Sequence, residues 1–286
     1  MKLNYLILPV LFAALFITGC LSDPGNPFGE PVDETDFLEE NAQKEGVTVT
    51  QSGLQYRVLE ESEGENPYDG AVVFVEYEGR LINGDVFVRT TQLDYFALTE
   101  NILSGIYEGV QLMEVGSEYE LVIPSELGYG DNPPQGTSIR PGSVLIFDIT
   151  LDSFLQRPNE FLADNAERED VQVTESGLQY RVIEEGEGES PGAESQVRVN
   201  YTGTFTNGYV FDESGNAPAI FQVGQVIPGF SEGLQLMNEG AVYELFVPSD
   251  IGYNQNPPQG ASPGFANAIE AGSVLIFEVE LLEVGS

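Results

Sequence analysis

From residue 197 the chain alternates. VRVNYTGTF (197–205) puts apolar side chains at every second position, the period of a strand buried on one face. Asn207-Gly208 follows, a pair suited to the two left-handed positions of a type I′ turn, and Tyr209-Val210-Phe211 resumes the strand. AVYELFVP (241–248) and SVLIFEVELLEV (273–284) predict further strands. A different period occupies VIPGFSEGLQLM (226–237). There Phe230, Leu234 and Met237 recur at i, i+4 and i+7, and Pro228 suits a first helical turn. A short helix laid across a curved antiparallel sheet covers the sheet's apolar face, so the pattern predicts an α+β fold.

The pattern occurs twice. A shift of 124 residues lays VTVTQSGLQYRVLEESEGENP (47–67) over VQVTESGLQYRVIEEGEGESP (171–191), and GYGDNPPQG (128–136) over GYNQNPPQG (252–260). Beyond Ser138 the shift becomes 130, because the second copy carries six extra residues (263–268). The match also reaches upstream, with FLEENAQKE (37–45) over FLADNAERE (161–169), good helix formers that predict a leading helix or ordered linker for each copy. Two copies at this period mean duplicated domains, 37–156 and 157–286. The helical face of the first copy is Ile106, Val110 and Met113.

Residues 1–19 have a lysine, a short apolar run and small residues before Cys20, the features of a secretory signal. Ile17-Thr18-Gly19-Cys20 resembles a bacterial lipobox, which implies lipidation of Cys20 and a membrane anchor through it. Leu21 after the cysteine points to the outer membrane of a Gram-negative envelope. Residues 20–36, rich in Pro, Gly and acids, predict a flexible acidic tether.

Composition narrows the chemistry. Hydrophobic residues are 41% of the chain, enough for real cores. The 47 acidic residues against 10 basic ones give a net charge of −37, which repels phosphate backbones and argues against nucleic-acid partners. Solubility and adaptation to a saline habitat are both readings of that acidity. The absence of histidine removes Ser-His-Asp and Cys-His nucleophiles and histidine-ligated zinc. No D-x-[DN]-x-[DN]-G calcium loop is present. No cofactor or metal is expected, which leaves carboxylates, hydroxyls and the shape of an apolar pocket.

In order along the second copy stand Tyr201-Thr202-Gly203, Asn207-Gly208, Val210-Phe211-Asp212, VIPGFSEGLQLM, Gly252-Tyr253 and SVLIFEVELL (273–282). Together they closely resemble the FKBP-type peptidyl-prolyl cis-trans isomerases. The lead-in SGLQYRVIEEGEG (176–188) resembles the macrophage-infectivity-potentiator branch of bacterial envelope isomerases. The resemblance implies two FKBP-like domains, each a curved antiparallel sheet wrapped on a short helix. It implies proline-containing polypeptides as substrates, and macrolides of the FK506 kind as ligands. For the second copy it implies a pocket of Tyr201, Phe211, Asp212, Phe221, Val226, Ile227, Phe230, Tyr253, Ile269 and Phe277. Phe230 is then the floor under the prolyl ring, and the Ile227 N–H and Tyr253 hydroxyl hold substrate carbonyls.

The first copy retains Tyr77, Phe87, Tyr129, Ile139 and Phe147, with Ile102 and Leu103 in the segment before the helix. Val88 stands opposite Asp212, and Ile106 opposite Phe230. Ala97 stands opposite Phe221, with Phe96 able to substitute after a one-residue bulge. A pocket without the acid and with an aliphatic floor is expected there, weakly active or inactive. Envelope relatives of this kind often dimerise through an amino-terminal helical region; here that region is short, which points to a monomer. Two functions follow: a lipid-anchored isomerase assisting the folding of envelope proteins through its second domain, or a non-catalytic chaperone or adaptor using the same domains.

Overall fold

The computed structural model describes residues 33–254 and 269–285. Two compact units divide between Phe154 and Leu155. The first contains α1 (Thr35–Asn41), β1 (Val47–Val49), β2 (Gln55–Glu60), β3 (Val72–Arg80), β4 (Val86–Arg89), β5 (Asp94–Ala97), α2 (Ser104–Leu112), β6 (Glu118–Ile123) and β7 (Leu145–Phe154). The second contains α3 (Pro158–Ala166), β8 (Gln172–Val173), β9 (Gln179–Glu184), β10 (Gln196–Thr204), β11 (Val210–Glu213), β12 (Ala219–Gln222), α4 (Pro228–Leu236), β13 (Val242–Val247) and β14 (Leu275–Gly285). The stretch read as a signal (1–19), Cys20 and the insertion at 263–268 lie outside the described residues.

Each unit builds a seven-stranded sheet of the same order. In the first it runs β1-β2-β6-β7-β3-β4, with β5 also on β3; in the second it runs β8-β9-β13-β14-β10-β11, with β12 also on β10. Every pairing is antiparallel. The long strands β3 and β10 are thus each shared by two short ones. β12 takes Gln196 to Val199 of β10, and β11 takes Thr202 to Thr204. Tyr201 lies in the gap between them. Its backbone is satisfied by Ser214, whose hydroxyl takes the Tyr201 N–H and whose N–H donates to the Tyr201 carbonyl. Thr90 does the same for Tyr77.

The helices follow the periodicity of the sequence. On α4, Phe230 and Leu234 face the sheet, and Met237 caps the end, fully buried. α2 buries Ile106 and Val110, with Met113 in the same capping place. Close approach is possible because Gly109 and Gly233 carry no side chain. A Cβ on either would lie 2.3 Å from a methyl of Leu121 or Leu245. The leading helices cover the opposite face of each sheet. Phe37 and Leu38 pack on Val122, Val144 and Ile146, and the Phe161 ring meets Phe246 at 6.1 Å. A buried amide pair ties each helix down: Asn41 Nδ2 donates to Gln55 Oε1 and Asn165 Nδ2 to Gln179 Oε1, both at 2.8 Å.

Two details differ from the sequence reading. α1 starts at Thr35, inside the stretch read as tether, and Glu34 accepts a hydrogen bond from the Val144 N–H at 2.7 Å. The hairpin is not a two-residue type I′ turn. Gly208 has φ +85°, whereas Asn207 is not left-handed. Gly208 N–H reaches back to the Phe205 carbonyl, and Phe205 N–H to the Tyr209 carbonyl. The loop therefore takes three residues, with glycine alone at the left-handed position. Asn207 instead uses its side-chain oxygen to accept the Tyr209 N–H.

Candidate active site

In the second unit the sheet's inner face and α4 bring five aromatic rings together. Tyr201 from β10 lies 5.5 Å from Phe221, 6.1 Å from Phe230 and 6.5 Å from Phe277, between ring centroids. Phe277 is crossed edge-on by Phe211 at 5.5 Å and by Phe230 at 4.9 Å, and Phe221 meets Phe230 at 5.8 Å. Such edge-to-face contacts fix ring orientation beyond what burial alone does. Phe205, which sequence reasoning left out of the site, supports Phe211 from behind at 5.0 Å. Gly203 is part of the same packing. A Cβ there would stand 2.7 Å from the Phe211 ring and 3.2 Å from Phe277.

The polar groups sit at one edge of this apolar wall. Tyr201 donates its hydroxyl proton to Asp212 Oδ2 at 2.7 Å, and Asp212 Oδ1 accepts the Glu213 N–H at 3.0 Å. Burial first, then the Asp212 hydrogen bond and charge, pushes the Tyr201 hydroxyl well above an ordinary tyrosine. Burial also raises Tyr253, with the Asp212 charge adding to it. Both hydroxyls therefore stay protonated and able to donate. Val226 and Ile227 are half-buried in the segment leading into α4, where the Ile227 carbonyl accepts the first helical N–H, from Ser231. Among the described residues the Ile227 N–H has no backbone acceptor. Ile269 is buried.

In the first unit Tyr77, Phe87, Ile102, Leu103, Ile106, Tyr129, Ile139 and Phe147 belong to a single apolar cluster. Phe147 again crosses Phe87 edge-on at 5.5 Å and meets Tyr77 at 6.4 Å. Strand register identifies the missing ring: Val73 pairs with Phe96 as Val197 pairs with Phe221, so Phe96 rather than Ala97 is the counterpart. The acid was missed. Val88 does stand where Asp212 stands, opposite Gly79 as Asp212 is opposite Gly203. Yet the Tyr77 hydroxyl finds a carboxylate all the same, Asp94 Oδ2 on β5, at 2.7 Å. The expected acid-free pocket is therefore corrected. Alternation along Asp94-Tyr95-Phe96, which puts the acid and the second ring on one face, is the signal that could have shown it.

A broad polar hollow of about 600 Å³ also lies in this second unit, bordered by Asn200, Thr202, Glu213, Glu278 and Glu280. Asn200, Thr202, Glu278 and Glu280 alternate with the inward-facing ring positions along β10 and β14, so this is the other face of the sheet.

A sheet of this order, folded on one helix with an aromatic hollow between, defines a class of protein, the FKBP-type isomerases. The family model of FKBP-type peptidyl-prolyl cis-trans isomerase matches residues 63–152 and 187–282, and that of the domain amino-terminal to it matches 31–58 and 152–182. The chain belongs to this family. It is 44% identical over 131 residues to the FKBP-type peptidyl-prolyl cis-trans isomerase FkpA of Aeromonas hydrophila, covering 45% of this chain and 46% of that one. It is 45% identical over 127 residues to an FKBP-type 22 kDa isomerase of Escherichia coli, covering 44% and 58%. To the outer membrane protein MIP of Legionella longbeachae it is 43% identical over 126 residues, covering 43% and 51%. The chain spans about half the length of the curated relatives it matches.

Proposed function

We propose that this chain is a peptidyl-prolyl cis-trans isomerase and that its second domain is the catalytic one. Rotation about an X–Pro bond breaks no covalent bond, yet uncatalysed it takes tens to hundreds of seconds. The barrier is amide resonance, about 18–20 kcal/mol. The twisted transition state has lost that resonance and is less dipolar than either planar form. An apolar, water-poor hollow favours it without a nucleophile, a metal or a histidine. Phe230 offers a flat floor for the prolyl ring, and Phe211, Phe221 and Phe277 wall it in. In this reading the Ile227 N–H and the Tyr253 hydroxyl donate to substrate carbonyls and anchor one side while the other turns. Asp212 holds the Tyr201 hydroxyl at the rim.

The observation that carries this reading is the closed ring contact among Tyr201, Phe221, Phe230 and Phe277 beside the Tyr201–Asp212 hydrogen bond. The substrates are proline-containing polypeptides of the bacterial envelope, reached by a lipid anchor on Cys20 in the outer membrane, with macrolides of the FK506 kind as competing ligands. Phe37 and Leu38 of one leading helix and Phe161 of the other pack on the sheet of their own unit, which supports a monomer. NMR exchange of an Ala-Leu-Pro-Phe peptide with the full chain tests the proposal. Acceleration that falls with Asp212→Val and with Tyr253→Phe, in folded protein, is expected. No acceleration, together with suppressed aggregation of a proline-free client, would make the chain a binding protein instead.

A further inference from the structure

We propose that the first domain carries a second, working prolyl-binding pocket, in which Asp94 on β5 replaces the acid absent at Val88 and orients the Tyr77 hydroxyl. This goes beyond the catalytic reading of the second domain. It rests on a matching arrangement built from a different strand. In the second domain one oxygen of Asp212 takes the tyrosine hydroxyl at 2.7 Å, and the other takes the next residue's N–H at 3.0 Å. In the first, one oxygen of Asp94 takes the Tyr77 hydroxyl at 2.7 Å, and the other takes the Tyr95 N–H at 2.9 Å. The acid has moved along the same edge of β3, from the β4 position to β5, and kept both contacts.

Three further observations point the same way. Asp94 is half-buried, whereas Asp212 is exposed. Withdrawing a carboxylate from water beside apolar rings is costly unless donors replace the water, and here the Tyr77 hydroxyl and the Tyr95 N–H do so, which fixes the acid at the tyrosine. Phe96, two residues on, lies across from Val73 as Phe221 lies across from Val197, so acid and ring arrive on one strand face together. Tyr129, the counterpart of Tyr253, packs on the same cluster as Tyr77. Burial raises its hydroxyl's pKa, so it too stays a donor.

What differs is the floor. Ile106 replaces the Phe230 ring, so a substrate prolyl ring meets branched aliphatic carbons instead of a flat face, and behind the wall Leu81 stands in the place of Phe205. The recognised chemistry is the same, an X–Pro segment with a carbonyl for a tyrosine hydroxyl. Asp94 is a positioning residue, acting through Tyr77.

The first domain reports on itself through its isoleucines. In the full chain with methyl-labelled isoleucine, an Ala-Leu-Pro-Phe peptide is titrated while the methyls of Ile102, Ile106 and Ile139 are followed. These methyls are expected to shift saturably. Asp94→Ala should weaken that affinity about tenfold, the size of one hydrogen bond to a charged group. Val88→Asp added to Asp94→Ala should restore it, because position 88 faces Gly79 as Asp212 faces Gly203. Asp94→Asn, with circular dichroism on every variant, separates loss of the charge from loss of the fold. Unmoved methyls in the wild-type chain would overturn the proposal. An affinity indifferent to Asp94→Ala, or a loss that Val88→Asp fails to rescue in folded protein, would overturn the role of Asp94. Failure of catalysis alone would strike the second-domain reading and leave this one standing.

Discussion

The two domains share a sheet order, a leading helix held by an Asn–Gln pair, and a tyrosine whose backbone is clasped by Thr90 or Ser214. They differ at the floor of the hollow, at the strand that supplies the acid, and on the outer sheet face. In the first domain Arg80 joins Asp148 at 2.5 Å to Glu120 at 2.6 Å, and Arg57 reaches Glu120 as well. Thr204 occupies the matching place in the second domain. There Arg181 pairs with Glu244, and among the described residues no arginine forms an ion pair with Glu278, Asp148's counterpart. The contrast teaches that a contact can persist while the position supplying it changes. Tyr77 and Tyr201 each keep a carboxylate at 2.7 Å although the acids come from different strands.

The sharpest way to break the comparison is at the floor. Phe230→Ala removes a buried ring from the second hollow and should cost that domain about 3–5 kcal/mol, with loss of activity. Ile106→Ala removes fewer carbons and should cost the first domain about 2–3 kcal/mol. Thermal unfolding of each full-length variant measures both; equal costs would mean that the floors are equivalent. Next comes the close approach at the paired glycines. Gly203→Ala should cost about 1–3 kcal/mol, because Phe211 must move from 2.7 Å. Gly79→Ala should behave alike, its Cβ meeting Val88 at 2.6 Å and the Phe87 and Phe147 rings at 2.8 Å. Urea unfolding would show whether the two respond alike.

A smaller effect is expected on the outer face. Arg80→Met leaves Glu120 and Asp148 without their shared partner and should cost about 1 kcal/mol, less at high salt. Thr204→Arg should bring a similar partner to Glu278 and make the second domain's stability less salt-dependent. Denaturation at low and high NaCl measures both.

A last effect is confined to extreme pH and is absent under ordinary conditions. Tyr77 and Tyr201 ionise above the ordinary value of 10, chiefly because they are buried and then because each binds a carboxylate. A raised folded value stabilises fully below pH 10, and the contribution is lost as pH climbs through the folded values. Both domains should hold their fold up to about pH 10 and then unfold together with the appearance of tyrosinate absorbance. Ionisation at ordinary pH in folded protein would mean that the hydroxyls are open to water.

Much of this was legible in the chain. The period of Phe230, Leu234 and Met237 predicted α4, and alternation from Val197 predicted β10, because burial on one face imposes both patterns. The ring partners followed from likeness to a known family. Three-dimensional register was not legible. An ungapped shift of 124 places Asp94 opposite Pro218, whereas pairing with Val75 puts it in the place of Ala219, one residue on. That single slip hid Asp94, whereas the one-residue bulge allowed for Phe96 is the offset that register shows. The turn at Asn207-Gly208 was misjudged for a related reason: dipeptide identity suits two loop lengths, and the hydrogen bonds of Phe205 select the longer.

The central claim is that the second hollow accelerates prolyl rotation by environment, with no proton transferred and no bond made. The direct measurement is the cis/trans exchange rate of a bound proline peptide with the full chain, in H2O and D2O, across about pH 5 to 9. A rate that is fast, flat in pH and equal in the two solvents is predicted. One that halves in D2O or follows a titration would contradict it.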